Sequence, residues 1–284
     1  MTPCTSINLF FDPAFRTPVT EQIRRCARAG FAHLDMNFWD WCHSDASPFA
    51  GDDWRDWVRS IAACARDTGV VFTQAHAHVH NFFVNGLGCV AEERLRRSVE
   101  GAGMLGIPWI VVHPSHNDGS EAELYERNAE YFYRHAKAAA EYGTGLAIEN
   151  LSSARERFVS EDSLVRLIDM IRLPNVGACW DTGHGNVTGR GQREAILALG
   201  NRLRALHIAD NNGRDDEHVP PFFGSIRWDE VTRALAEIGY GGDFTFEAHN
   251  FVRRLPECLK DEALALQYRI GETLAGSIGE RSSL

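Results

Sequence analysis

The 284-residue chain has no apolar run near the roughly 20 residues that a membrane-spanning helix requires, which excludes that class of membrane protein. Its opening, MTPCTSINLFFDPAF, lacks a basic segment leading into an apolar stretch and a small-residue cleavage site, so an unexported protein is expected. No C-x-x-C pair occurs among Cys4, Cys26, Cys42, Cys64, Cys89, Cys179 and Cys258. That argues against a zinc knuckle or dithiol centre, and scattered single thiols fit a reducing cytoplasm. Positive charge is also scarce: 29 Lys and Arg against 39 Asp and Glu leave a formal charge of -10. Such a field disfavours nucleic acid and anionic membranes as partners. The first strand–helix junction carries no G-x-G-x-x-G, which argues against a dinucleotide fold. No Pro/Ser-rich linker, low-complexity tract or copied repeat divides the chain.

What is present is an alternation. Short apolar segments recur at Ser6–Phe10, Phe31–Met36, Val70–Gln74, Trp109–His113, Gly145–Glu149, Val176–Asp181, Ala205–Ile208 and Asp243–Glu247. Longer stretches of helical period separate them: Thr20–Ala29, Trp54–Asp67, Ala91–Leu105, Glu121–Tyr142, Glu161–Ile171, Arg193–Leu199 and Asp229–Ile238, with Glu257–Leu274 at the end. Gly30, Gly143 and Gly239 follow three of these stretches, where a helix commonly closes in the left-handed region. The pattern predicts parallel strands with helical crossovers, arranged as a single (β/α)8 barrel over residues 1–284.

Ionisable residues mark the strand ends. Strands buried on both faces are apolar, so a charged group at a strand's end must be solvated, paired or bound. Gly145-Leu-Ala-Ile-Glu149 and Val176-Gly-Ala-Cys-Trp-Asp181 end in carboxylates, Ala205-Leu-His207 brings an imidazole, and Asp243-Phe-Thr-Phe-Glu247 brings a third carboxylate. On a barrel these ends share the catalytic face. Three carboxylates forced together repel one another, and a divalent cation relieves the repulsion. Glu149, Asp181, His207 and Glu247 are therefore expected to hold one divalent metal ion. Singly, each has a plainer explanation, a helix N-cap or a core hydrogen bond, but four at the same end of consecutive strands favour the ion. One imidazole among oxygens suits Mn2+ first, then Mg2+ or Co2+, ahead of Zn2+ or Fe2+. His113 and His76 end neighbouring strands at the same mouth. Asp35 and Asn37, and the aromatics Trp39, Trp41, Phe222 and Phe223, are candidates for contacts with a ring-shaped substrate. His116 and His249 read as ordinary loop residues.

At these residues the chain resembles the xylose isomerase-like barrel superfamily of sugar isomerases and epimerases, inosose dehydratases and family 2 apurinic endonucleases. The runs that carry the likeness are Ala147-Ile-Glu149-Asn150, Trp180-Asp181-Thr-Gly-His184, Leu206-His207-Ile-Ala-Asp210, Asp216-Glu-His218 and Phe246-Glu247, with Gln74-Ala-His76 and Val111-Val-His113-Pro114. By resemblance to ketose 3-epimerases, Glu149 and Glu247 would be acid and base as well as metal ligands. His184 would hydrogen-bond a substrate oxygen, with His76, His113, Asp216 and His218 as further substrate contacts. The implied activity is proton transfer on a ketose or related polyol through an enediolate, in an enzyme whose relatives often form homo-oligomers. Elimination from a keto-inositol or 3-keto-glycoside would use the same groups. The endonucleases offer another comparison, since His76 or His78, His113, Glu149, Asp181, His184, His207, Asp216, His218 and Glu247 together resemble a multinuclear zinc set. A metal-bound barrel without catalysis is the remaining alternative. This chain departs from the epimerases where Gly213 replaces an arginine and Val219-Pro-Pro-Phe-Phe-Gly224 replaces a Pro-Gly. Arg214, Arg253 and Arg254 leave room for a phosphorylated sugar.

Overall fold

The strands of the computed structural model, which describes residues 1–42, 44–153 and 157–282, are all short and all parallel. They are β1 (Pro3–Ser6), β2 (His33–Asn37), β3 (Val71–His76), β4 (Trp109–Val112), β5 (Gly145–Glu149), β6 (Val176–Asp181), β7 (Leu203–His207) and β8 (Phe244–Phe246). Their order is β7-β6-β5-β4-β3-β2-β1-β8, and a parallel bridge between Ile208 and Phe246 joins β7 to β8. This is the (β/α)8 barrel that the alternation predicts. Seven crossover helices and a C-terminal one surround it: α1 (Val19–Arg28), α2 (Trp54–Thr68), α3 (Val90–Met104), α4 (Glu121–Glu141), α5 (Glu161–Ile171), α6 (Gln192–Leu199) and α7 (Trp228–Glu237) connect successive strands, and α8 (Glu257–Ser282) follows the last. Among the described residues no helix is long and apolar enough to cross a membrane.

Alternation along each strand sorts the side chains. In β5 and β6, Leu146, Ile148, Ala178 and Trp180 face outward into the main apolar core beneath the helices. The intervening Ala147 and Cys179 face inward, and with Val111 and Ala205 they form a separate small cluster around Trp109. Gly145 completes this inner layer because a Cβ there would lie 2.5 Å from the Trp109 ring. Two residues further along the same inward face come Glu149 and Asp181, so the alternation that builds the core also aims these carboxyl groups into the barrel mouth.

One strand differs from expectation. The first was expected at Ser6–Phe10, but β1 is Pro3–Ser6 and Ile7–Phe10 forms a 3-10 turn. Ile7, Leu9 and Phe10 are all buried, so the apolar run is real, but a short apolar run does not distinguish a strand from a buried turn. Gly30, Gly143 and Gly239 have φ of 110°, 73° and 63°, the backbone region expected of them.

Candidate active site

Glu149 is fully buried at the centre of the mouth, between histidines from three other strand ends. Its Oε2 lies 2.8 Å from His113 Nε2 and 3.5 Å from His76 Nε2, and its Oε1 lies 2.6 Å from His207 Nδ1. The same His207 Nδ1 is 3.3 Å from Glu247 Oε2. Asp181 completes a group in which one ligand atom each from Glu149, Asp181, His207 and Glu247 lies within 4.8 Å of the others. These four could hold a metal ion. Asp181 also caps the short helix Thr182–Val187, its Oδ1 accepting the His184 backbone N–H at 2.7 Å. Capping uses only one oxygen, and Oδ2 is buried without a partner. A buried orphan carboxylate oxygen facing two further carboxylates is what a cation would satisfy, so the donor set fits a divalent ion.

A second group adjoins the first. His184 Nε2 and His218 Nε2 lie 3.1 Å and 3.3 Å from the same oxygen, Asp216 Oδ2. The other nitrogen of each ring is committed: His184 Nδ1 donates to Asn150 O and His218 Nδ1 to Glu247 O, each at 2.8 Å. His76 Nδ1 likewise donates to Ala77 O at 2.8 Å. A carbonyl only accepts, so in all three rings the proton sits on Nδ1 and Nε2 is turned toward a carboxyl oxygen. That orientation needs a proton or a cation at Nε2, and a histidine whose far N–H is fixed by a carbonyl is the usual arrangement at metal sites. His184, Asp216 and His218 form a second set that could hold an ion, as do His76, Glu149 and His207.

Electrostatics follow from this packing. Burial opposes ionisation of Glu149 and Glu247, but the surrounding histidines outweigh it, holding Glu149 well below the ordinary range and Glu247 at about 2. Asp181 goes the other way, raised to about 6 by burial and then by the charges of Glu149 and Asp216. Burial alone would lower the histidines; the carboxylates prevail and raise His184 and His207 well above their usual value and His218 to about 9. For His113 burial wins and its value falls.

The groups open into a cavity of about 360 Å3 lined by His76, His113, Glu149, His184, His218 and Glu247, together with Asn8, Asn37, Trp39, Asp40, His249 and Arg253. Trp39 lies against His78, ring centres 5.2 Å apart, and offers the cavity an apolar edge. Trp41 instead packs away from the site against Phe11 and Trp57, and Phe222 and Phe223 are exposed outside the lining. Asp35 lies below the mouth, bonded to Gln74, rather than in the cavity. His249, read from sequence as an ordinary loop residue, stacks on His218 at 4.5 Å. Arg253 was legible only as a charge after the eighth strand; it donates to Asn8 O at 2.8 Å and pairs with Asp40. Asn8 and Asp40 carried no signal, since both enter from turns whose course no periodicity fixes.

A sequence model of the family described as "Xylose isomerase-like TIM barrel" matches residues 23–268. Among curated proteins, the chain is 29% identical to "Uncharacterized protein MJ1311" of Methanocaldococcus jannaschii, over 62% of this chain and 61% of that protein. It is 30% identical to a "Probable endonuclease 4" of Methanoculleus marisnigri, over 54% of this chain and 56% of that protein. It is also 30% identical to a D-psicose 3-epimerase of Ruminiclostridium cellulolyticum, over 45% and 42%. The matched regions thus span less than two thirds of these relatives. Among solved structures, a D-tagatose 3-epimerase-like protein superposes with a TM-score of 0.79 at 21% identity, covering 99% of both chains, a likeness of fold.

Proposed function

This chain belongs to the xylose isomerase-like TIM-barrel family, and we propose that within it the protein is a divalent-metal-dependent isomerase or epimerase that moves a proton on a ketose or related polyol through an enediolate. The observation that carries the reading is the buried convergence of Glu149, Asp181, His207 and Glu247, with Asp181 Oδ2 left unpaired. These four would hold the ion, Mn2+ being the first choice for three carboxylates and one imidazole. When bound, a divalent ion polarises a ketone and adjacent hydroxyl and acidifies the C–H between them.

The chain's own residues supply the rest. Glu149 and Glu247 come from strands that are not neighbours, and both carboxyl groups reach the cavity. One takes the proton from one side of the substrate carbon, and the other returns it from the opposite side to give the epimer. Return of the proton to the adjoining carbon interconverts aldose and ketose. His76, His113, His184 and His218, with Asp216 behind the last two, orient substrate oxygens, and Trp39 packs against the carbon skeleton. Elimination from a keto-inositol or 3-keto-glycoside is the alternative outcome of the same proton abstraction. The acidic charge and scattered thiols fit a cytoplasmic enzyme acting on a small neutral molecule rather than on nucleic acid or a membrane.

One observation favours a second reading. The His184–Asp216–His218 set beside the first group would allow several ions, and a multinuclear centre suits phosphodiester cleavage. Against it, Arg253 in the cavity lining is already paired with Asp40.

The test is solvent exchange. With Mn2+ and a panel of ketoses and keto-inositols in D2O, the protein is expected to place deuterium beside the carbonyl, and Glu247→Gln should abolish this while the fold survives. Exchange unchanged in Glu247→Gln, or cleavage of an aryl phosphodiester without any exchange, would overturn the assignment.

A further inference from the structure

His207 has two ring nitrogens and only one of them faces the carboxylates. Nδ1 lies 2.6 Å from Glu149 Oε1 and 3.3 Å from Glu247 Oε2, so this is the nitrogen available to an ion in that cluster. Nε2 points the other way, down into the barrel, where it is buried and has no hydrogen-bond partner. The oxygen facing it is Asp35 Oδ2, 3.6 Å away. Asp35 is itself fully buried in the middle of β2, and its Oδ1 has no partner. Gln74 holds it from β3, with Nε2 donating to Asp35 Oδ2 at 2.9 Å and to Leu206 O at 3.2 Å. Cys179, beneath His207 on the inward face, is kept neutral because burial raises its thiol well above the ordinary value. A buried carboxyl group short of a donor and a buried imidazole nitrogen short of an acceptor thus confront each other, in a layer with no other role assigned.

We infer that Asp35 is a positioning residue for the proposed metal centre: with an ion bound, its carboxylate, 3.6 Å from His207 Nε2, would accept a hydrogen bond from the Nε2–H and so leave the Nδ1 lone pair for the ion. The inference rests on the metal-enzyme reading above. Its logic is that a neutral imidazole carries one proton, and a ring that gives Nδ1 to an ion must keep that proton on Nε2. Without an acceptor the N–H would be buried unsatisfied; with Asp35 the ring is locked in tautomer and orientation, and its basicity toward the ion rises. Gln74 in turn fixes which oxygen of Asp35 faces the ring.

Titration calorimetry with Mn2+ tests this on the full chain. Asp35→Leu should weaken Mn2+ binding about 10–100-fold, the usual cost of losing an outer-sphere partner, and Asp35→Asn, which retains the oxygen that Gln74 holds, should recover much of the loss. Packing alone would lower the melting temperature and leave affinity at the wild-type value, so wild-type affinity in Asp35→Leu overturns the inference. Nitrogen-15 spectra of the histidine rings in the zinc-loaded wild-type protein decide the matter even where Asp35→Leu does not fold. A His207 ring with Nε2 protonated and Nδ1 perturbed by the ion supports the assignment; a proton on Nδ1 overturns it. Wild-type protein that binds neither ion overturns the metal reading along with the inference, whereas tight wild-type binding with Asp35→Leu unchanged overturns the inference alone.

Discussion

Asp181→Asn separates two roles that the structure gives to one side chain. Oδ1 caps the helix that begins at Thr182, and Oδ2 is the orphan oxygen offered to an ion. Asparagine caps as well as aspartate, whereas Asp181→Ala loses about 1 kcal/mol of cap, lowering the melting temperature by roughly 2–4 °C in a chain of this size. Without an ion the carboxyl group of Asp181 is a burden, because burial and then neighbouring charge raise its pKa to about 6 from 3.8. An acid held more tightly protonated in the folded state costs nothing below its unfolded pKa, and its penalty grows as pH rises through the folded pKa. Ion-free Asp181→Asn is therefore expected to melt no lower than wild type near neutral pH, with the difference closing below about pH 4. Mn2+ should reverse the order. At about a hundred times its Kd an ion adds roughly 2.7 kcal/mol to the wild-type fold. The asparagine variant forfeits this, since loss of a direct ligand costs more than the ~100-fold upper range of an outer-sphere change. Thermal melts with and without Mn2+, paired with elemental mass spectrometry, read both effects. Wild-type metal content and an undiminished Mn2+-dependent rise in Asp181→Asn would reduce Asp181 to a helix cap and remove the central support for the metal reading.

Two further outcomes follow from the histidines. His207, the imidazole of the proposed ion site, has a pKa raised well above its usual value, burial being outweighed by neighbouring negative charge, so an incoming ion would compete with a proton at its Nδ1. Mn2+ titrations in buffers of different ionisation enthalpy should show net proton release, and heats independent of the buffer would contradict that arrangement. Asp216→Asn should lower metal stoichiometry only if His184 and His218 hold a second ion. A wild-type protein with one ion per chain, unchanged in Asp216→Asn, assigns those residues to the substrate and disfavours the phosphodiesterase reading.

The sequence carried most of this architecture because barrel strands alternate with helices on a regular period, and because ionisable residues at the same end of several successive apolar runs, Gly145–Glu149 and Val176–Asp181 among them, share few structural explanations. It carried less where backbone bends without a period. The Ile7–Phe10 segment is apolar and buried, as a strand would be, yet it turns. Asp35 could not be assigned from spacing: whether it faces the mouth or the interior depends on register, and a shift between Leu34 and Asp35 against β3 alters that register at the residue in question. Arg253, Asp40 and Asn8 meet across more than two hundred residues through a backbone carbonyl and one ion pair, contacts that no local pattern encodes.

The electrostatic problem posed by the carboxyl groups at the mouth has a local solution that also limits the chemistry. Glu149, Asp181, Asp216 and Glu247 could not all ionise in a buried site unaided. The chain answers with His76, His113, His184, His207 and His218, and in three of these rings a backbone carbonyl dictates which nitrogen is turned inward. Protons on the inward nitrogens compensate the carboxylates, and an ion would replace protons rather than enter an uncompensated cluster. Because His76, His184 and His218 are fixed by main-chain carbonyls, their orientation exists before any ion arrives and little reorganisation of these rings would accompany binding. The same rigidity leaves Glu247 a narrow choice. Its Oε2 lies 3.3 Å from His207 Nδ1, while its backbone carbonyl accepts the His218 Nδ1–H at 2.8 Å. An ion held by His207 Nδ1 would also take this carboxylate as a ligand, so Glu247 would have to serve as ligand and as base at once.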